Sequence, residues 1–433
     1  MKIAFVVQRY GTEILGGSEY HCRLVAERMA ERHEVDVLTT CARDYITWKN
    51  EYPAGEDRIR GVTVRRFPNA ITRDISEFNK YSDWIFHYPH SDAEEEDWLK
   101  RQGPWCPPLI EYLERHHRAY DALIFFTYLY APTVLGLRVD PLRSVLVPTA
   151  HDEPAIRLRL YRDVFERPAA MAYNTAAERA FLRDLFDIKA IEELIGCGVD
   201  VPAFDVPELT PRARRGRRSS GRRQAGDAGA GPTVQAATAT AEEPPPFVLR
   251  DRGAVFRRRH RLDGPIVLYG GRIDPGKGCE ELIEYFRAFV EQGGEATLAL
   301  MGMKLMPIPE EPFIRFAGML PDNERLDALE AATVVVVPSP YESLSLLALE
   351  AFAVGTPVLA NGRSVVLVDH CRASNAGLYY GTRDEFIECL TLLLANGRLR
   401  EEMGRNGQRY VQKHYRWDII LGKYDRLLSA LRG

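Results

Sequence analysis

No run of about 18 apolar residues occurs in this 433-residue chain, so it offers no transmembrane helix. It also lacks a basic excess. Lys and Arg number 57 against 61 Asp and Glu, a formal charge of −4, whereas proteins that coat nucleic acid carry surplus positive charge. Nucleic acid is therefore not an expected partner. The N-terminus reads as free of a signal peptide, because Met1-Lys2 leads into the strand-length run IAFVVQRYG with no small-residue cleavage site. Cysteines are few: seven, odd in number and scattered, with no C-x-x-C pair. They read as reduced core thiols of a cytosolic protein, not as a disulfide or zinc framework. No G-x-S-x-G elbow is present. His116-His117 and His87/His90 lack the companion ligands of a metal site, so no metal is expected.

What is present is an alternation of apolar runs and amphipathic stretches. IAFVV (3–7) reads as a buried strand, GTEILGGSE (11–19) as a Gly-bearing loop, the stretch through Arg32 as a helix and VDVLTT (35–40) as the next strand. That is a βαβ unit, which implies a parallel sheet covered on both faces. Further strands follow at VTVRRF (62–67), ALIFF (122–126), SVLVPTA (144–150), MAYNT (171–175) and AIEELIG (190–196). Residues 71–106 break the rhythm with a long insertion rich in Trp, Tyr, Phe and acids. It reads as a functional or flexible loop, with core packing the expected role of most of its rings among Tyr81, Trp84, Phe86, Tyr88, Trp98 and Trp105.

From Glu208 to Pro246 large apolar residues almost vanish, and the Arg-, Gly-, Ala- and Pro-rich stretch reads as a disordered, solvated linker. A second series then begins: PIVLYGG (265–271), ATLALMG (296–302), IRFAGML (314–320), TVVVVPS (333–339), a helix over 343–354, TPVLAN (356–361) and GLYY (377–380). The expected fold class is α/β, with two doubly wound Rossmann-like domains facing across a cleft. Expected bounds are 1–205, a linker over 206–247, a second domain over 248–412 and a closing helix over 413–433. Ligands of such sheets bind outside the carboxyl ends of the strands.

Three features at those ends carry chemistry. GGRIDPGKG (270–278) joins a strand to a helix. Its glycines allow close backbone approach, the helix N-terminus offers unpaired N–H groups, and Arg272 and Lys277 add two cations. This suits a diphosphate, although a plain turn with solvated cations has the same composition, and neither a dinucleotide fingerprint nor a P-loop is matched. Glu342 and Glu350 stand eight residues apart. On a helix they would differ by roughly 80° and lie about 12 Å apart along the axis, placed to accept hydrogen bonds from hydroxyls at the two ends of an elongated ligand. Glu350 lies within the apolar LSLLALEAFAV, where a charge needs a partner. His151-Asp152 follows the strand SVLVPTA at the cleft edge, where an isolated His is more often a satisfied structural residue than a functional one.

In order and spacing these features resemble the GT-B glycosyltransferases, specifically the retaining glycosyltransferase family 4. The likeness rests on Glu342-x7-Glu350 with EAFAVGTPVLANG after it, on GGRIDPGKG, on Gly16-Gly17 and on GVD at 198–200. It covers nearly the whole chain apart from 208–246 and, less closely, 71–106. The resemblance implies transfer of a hexose, with retention and without a bound metal or other cofactor, from a UDP- or GDP-sugar to a saccharide or lipid-linked glycan. It implies that Arg272 and Lys277 hold the donor diphosphate and stabilise the leaving group, that Glu350 binds the ribose hydroxyls, and that Glu342 binds those of the sugar. His151 would reach the donor sugar from the first domain. Gly16, Gly17 and Gly271 would let the backbone approach the donor, and Leu346 and Leu347 would direct N–H groups at the distal phosphate. Tyr415-Arg416-Trp417 resembles the segment where the last helix crosses back to the first domain. Such an enzyme is expected in the cytoplasm, with a peripheral place at the inner membrane face compatible.

Two departures stand out. Ser345 occupies a position where the family commonly has Gly, which a Ser tolerates if φ is negative. The 206–247 insertion replaces a short linker. A non-catalytic nucleotide-sugar or glycan-binding module and a sugar-nucleotide epimerase share the fold, and joint retention of Arg272, Lys277, Glu342 and Glu350 favours the transferase.

Overall fold

Apolar β-branched runs flanked by helices build two sheets in the computed structural model, which describes residues 1–14, 16–200 and 252–432. The first lobe contains β1 (Lys2–Val6), β2 (Glu34–Thr40), β3 (Gly55–Ile59), β4 (Val62–Phe67), β5 (Ala122–Phe126), β6 (Ser144–Val147), β7 (Ala170–Tyr173) and β8 (Ile191–Leu194). Their order is β3-β4-β2-β1-β5-β6-β7-β8. All neighbours run parallel except β3 and β4. The second lobe contains β9 (Ile266–Gly270), β10 (Thr297–Met301), β11 (Ile314–Gly318), β12 (Val334–Val337), β13 (Val358–Asn361) and β14 (Gly377–Tyr380). They form an all-parallel sheet in the order β11-β10-β9-β12-β13-β14. Each order reverses beside its first strand, and the crevice at such a switch point is where ligands of doubly wound sheets bind.

Eight helices matter below: α1 (Gly17–Met29), α2 (Ile75–His87), α3 (Asp92–Gln102), α4 (Ala176–Leu185), α5 (Cys279–Glu291), α6 (Asp322–Ala331), α7 (Leu346–Val354) and α8 (Trp417–Ala430). The last of these ties the lobes together. It buries Ile420, Leu421, Tyr424, Leu427 and Leu428, and its Lys423 donates to the Ile195 carbonyl at 3.2 Å. Its Trp417 indole donates to Asp200 at 3.0 Å, and Gly198 lies so close under that ring that a Cβ there would meet it at 2.4 Å. One apolar cluster runs from Phe5 and Val25 through Ile420 and Leu427 to Ala348 and Leu349, joining both lobes. All seven cysteines are free, and six are buried.

The structure corrects the reading of residues 71–106 as a loop. Asp74 caps α2 by accepting from the Ser76 and Glu77 amides, and Ser91 with Glu94 forms a reciprocal capping box on α3. The resulting helical hairpin packs Trp98 and Ile85 into the first-lobe core. Strand β3 was also not anticipated. Its sequence, GEDRI, is charged and exposed, and it pairs antiparallel with β4 through a turn in which Arg60 and Gly61 take φ of 45° and 88°. The linker reading over 206–247 lies outside the described residues.

Candidate active site

Both lobes line one cavity of about 320 Å³ at the carboxyl ends of their sheets. From the second lobe, the turn after β9 brings Gly271, Arg272 and Lys277 to its wall. Asp274 shapes this turn by accepting from the Lys277 amide at 3.0 Å. Gly271 and Gly278 take φ of 143° and 75°, a region unfavourable to other residues. A Cβ on Gly278 would meet the Pro338 carbonyl oxygen at 2.4 Å, so only glycine lets α5 start this close to the neighbouring loop.

The 338–347 segment forms the opposite wall. Three bonds pin it: Asn361 Nδ2 donates to the Pro338 carbonyl (2.8 Å), Ser339 Oγ to the Tyr341 carbonyl (2.9 Å), and the His370 ring meets the Leu344 carbonyl through Nε2 at 2.8 Å. Glu342 points at the cationic turn, where Lys277 Nζ lies 2.8 Å from its Oε1. Two expectations need correction here. The helix starts at Leu346, not at 343, so Glu342 lies within the loop instead of at its junction with the helix that carries Glu350. Ser345 also has φ of +63°, not a negative value; this left-handed residue is the break that delays the helix. The first residues of α7, Leu346 and Leu347, line the cavity and begin a helix with no side-chain cap. Their N–H groups belong to the unpaired first turn, which favours an anion.

The first lobe supplies a second uncapped helix start. Gly16 and Gly17, at the N-terminus of α1, line the cavity, and Gly17 has open space where a Cβ would stand. Beneath them, buried Arg9 donates to Glu19 Oε1 through Nε (2.9 Å) and Nη2 (2.6 Å), and to the Arg43 carbonyl through Nη1 (2.9 Å). Arg9 holds the Glu19 carboxyl below its ordinary range despite burial. Tyr45 bridges the lobes: its ring lies 5.5 Å from the Arg9 guanidinium and 5.3 Å from that of Arg272.

Nine anticipated residues thus converge on one cavity: Gly16, Gly17, Gly271, Arg272, Lys277, Glu342, Leu346, Leu347 and Glu350. His151 is not among the lining residues. Its ring stacks on Tyr341 of the opposite lobe, with centroids 5.6 Å apart, next to Glu342. Buried Glu178 on α4 fixes that strand end by accepting from the Ala150 amide (2.7 Å) and the Asn174 amide (2.6 Å). Burial outweighs those bonds and pushes its carboxyl up to about 8. Residues not anticipated include Arg9, Arg43, Tyr45 and Arg325. Arg9 follows β1 closely and was within reach of the strand-end rule, whereas Arg325 sits in NERLDALE, which reads as an ordinary surface helix.

Two α/β lobes thus set uncapped helix starts, Arg272 and Lys277, and Glu342 and Glu350 around one interlobe cavity on a GT-B fold. Comparison with known proteins agrees. Residues 254–410 match the family model described as Glycosyl transferases group 1. An uncharacterized glycosyltransferase of Methanocaldococcus jannaschii is 28% identical over 436 residues, covering 97% of this chain and 96% of that protein. Sucrose-phosphate synthase from Thermosynechococcus elongatus superimposes with a TM-score of 0.65 at 19% identity over 99% of both chains. Anabaena HepE in complex with UDP and glucose does so with a TM-score of 0.66 at 14% identity, over 99% of this chain and 100% of that one. The structural likenesses establish the fold, and together with the family match they support a GT-B glycosyltransferase. Among the described residues no helix is long and apolar enough to cross a membrane.

Proposed function

We propose that this protein is a retaining glycosyltransferase that moves a hexose from a UDP- or GDP-sugar to a saccharide or lipid-linked glycan in the cytoplasm, without a resident metal. The observation that carries the reading is the convergence of the Gly271–Lys277 turn, two uncapped helix starts and Glu342/Glu350 on one interlobe cavity. Arg272 and Lys277 neutralise the diphosphate, and their effect grows as the glycosidic bond breaks and negative charge collects on the leaving group. The Leu346 and Leu347 amides, at the positive end of α7, add to that stabilisation. Glu342 orients the hexose through its hydroxyls, while Glu350 accepts from the ribose hydroxyls. His151, stacked on Tyr341 beside Glu342, is placed to reach the sugar from the first lobe on closure around the donor.

The Lys277–Glu342 ion pair implies an exchange. Before the donor arrives, each neutralises the other at 2.8 Å. With donor bound, Lys277 turns to phosphate and Glu342 to sugar hydroxyls, so both groups stay partnered throughout. The test is direct: transfer from radiolabelled UDP-glucose and GDP-mannose to a glycan panel, with and without EDTA. Transfer insensitive to EDTA with an unchanged anomeric configuration is the expected result. Net inversion, or no transfer and no binding of either donor, contradicts the proposal.

A further inference from the structure

Tyr20, Arg325 and Glu350 line two cavities at once: the one described above and a neighbour of about 580 Å³ bordered by Glu27, Arg60, Asp200, Asp322 and Trp417. They form the partition between the two. Arg325 Nη2 donates to Glu350 Oε1 at 2.6 Å and also to the Tyr20 hydroxyl. Its guanidinium lies 4.4 Å from the Tyr20 ring centroid, while its Nε is buried without a partner. Tyr20 comes from α1 of the first lobe, and Arg325 and Glu350 come from α6 and α7 of the second. A second interlobe bond runs alongside, with buried Arg23 on α1 donating to Asp322 on α6 at 3.0 Å.

Glu350 has little else to keep it charged. It is 5% exposed, and burial pushes its carboxyl up while Arg325 pulls it down. The other groups facing it are Asp322 on α6, Tyr20 on α1, and Cys197 and Asp200 after β8; both aspartates oppose ionisation. Arg325 is the cation that opposes desolvation at this carboxylate, helped by a hydrogen bond from Tyr20, although burial still leaves the carboxyl above its ordinary range. A vicinal diol needs an ionised carboxylate to accept from both hydroxyls, since a protonated carboxyl gives up part of its acceptor capacity.

We infer that Arg325, steadied by Tyr20 from the opposite lobe, is a positioning residue for the donor: its charge-assisted bond holds Glu350 in place to accept hydrogen bonds from the ribose 2′,3′-diol, and so couples nucleotide recognition to contact between the lobes. This rests on the ribose role proposed above for Glu350. Because the diol is held alike in ground and transition states, losing Arg325 raises donor KM and leaves kcat largely in place.

The test uses the full chain and four proteins: wild type, Arg325→Gln, Arg325→Lys and Tyr20→Phe. Calorimetry measures Kd for UDP and GDP, and then for the 2′,3′-dideoxy form of whichever binds, from pH 6.5 to 9. Wild type should lose about tenfold or more in affinity on removal of the diol. Arg325→Gln should bind the intact nucleotide about tenfold more weakly at pH 6.5 and lose most of that discrimination. Its deficit relative to wild type should shrink as pH rises, because Glu350 without its cation ionises only at higher pH. Arg325→Lys should stay within about threefold of wild type, and Tyr20→Phe should fall between. Thermal melting of each variant shows whether it is folded, and Arg325→Lys reports on the charge even if Arg325→Gln is not. An Arg325→Gln protein with wild-type diol discrimination, or with a pH-independent deficit, overturns the inference while leaving the donor site standing. An Arg325→Lys protein as impaired as Arg325→Gln does the same. If wild type binds neither UDP nor GDP, the proposed donor site itself falls, and this inference falls with it.

Discussion

Ser345 offers a sharp quantitative test of how the site is built. Its φ of 63° and ψ of 74° are left-handed, its side chain makes no cap hydrogen bond, and it is 6% exposed. A left-handed conformation costs a non-glycine residue roughly 1–2 kcal/mol. Glycine escapes that cost but gives up about 0.5–1 kcal/mol through its greater freedom in the unfolded chain. Ser345→Gly should therefore stabilise the protein by up to about 1.5 kcal/mol, whereas Ser345→Ala, which keeps a Cβ, should not stabilise it. Urea unfolding at constant m-value reads this as a higher midpoint for the glycine variant alone. The loop stays pinned by Asn361, Ser339 and His370, so nucleotide affinity should remain within about twofold. A Ser345→Gly protein less stable than wild type, or an alanine variant that gains as much, would refute the reasoning, because the backbone would then not be storing the strain its dihedral angles imply.

Other consequences follow from the same geometry. Lys277→Ala and Glu350→Ala should each slow transfer at least about tenfold, or roughly 1.4 kcal/mol of lost transition-state stabilisation, in steady-state kcat/KM. Glu342→Gln frees Lys277 from its ion pair, so UDP should bind about threefold more tightly by calorimetry while sugar transfer becomes slower; changes of the same sign would count against the exchange of partners. Glu178 contributes a pH dependence. Its folded-state value of about 8 lies above the ordinary 4.5, so its contribution is fully present below 4.5 and is lost as pH rises toward 8. Urea unfolding of wild type and Glu178→Gln at pH 5, 6.5 and 8 should thus show the difference between them shifting in favour of the variant as pH increases.

Much of the fold was legible because buried parallel strands are written as continuous apolar runs. VTVRRF, ALIFF and GLYY match β4, β5 and β14 residue for residue. Periodicity failed where burial did not decide structure. The charged GEDRI becomes a strand only because β4 offers an open edge, and the 71–106 segment becomes helical through caps at Asp74 and Ser91. At the site, residue type and spacing pointed to the Gly271–Lys277 turn and to Glu342 and Glu350, while Gly16, Gly17, Leu346 and Leu347 came from the family resemblance; all of them line one cavity. What the chain could not announce was contact across the lobes. Arg325 looks like a surface residue until α1 brings Tyr20 against it, and His151 meets Tyr341 only through lobe-to-lobe packing. The left-handed Ser345 was equally hidden, because residue type alone argues against it.

In the proposed reading, the cationic glycine turn after β9 grips the diphosphate of a sugar nucleotide. Calorimetric titration of UDP-glucose and GDP-mannose into wild type and Lys277→Ala tests it most directly. One donor should bind wild type saturably, with affinity weakened at least about tenfold by the substitution. Binding of that donor undiminished in Lys277→Ala, or no heat of binding for either donor with wild type, would contradict it.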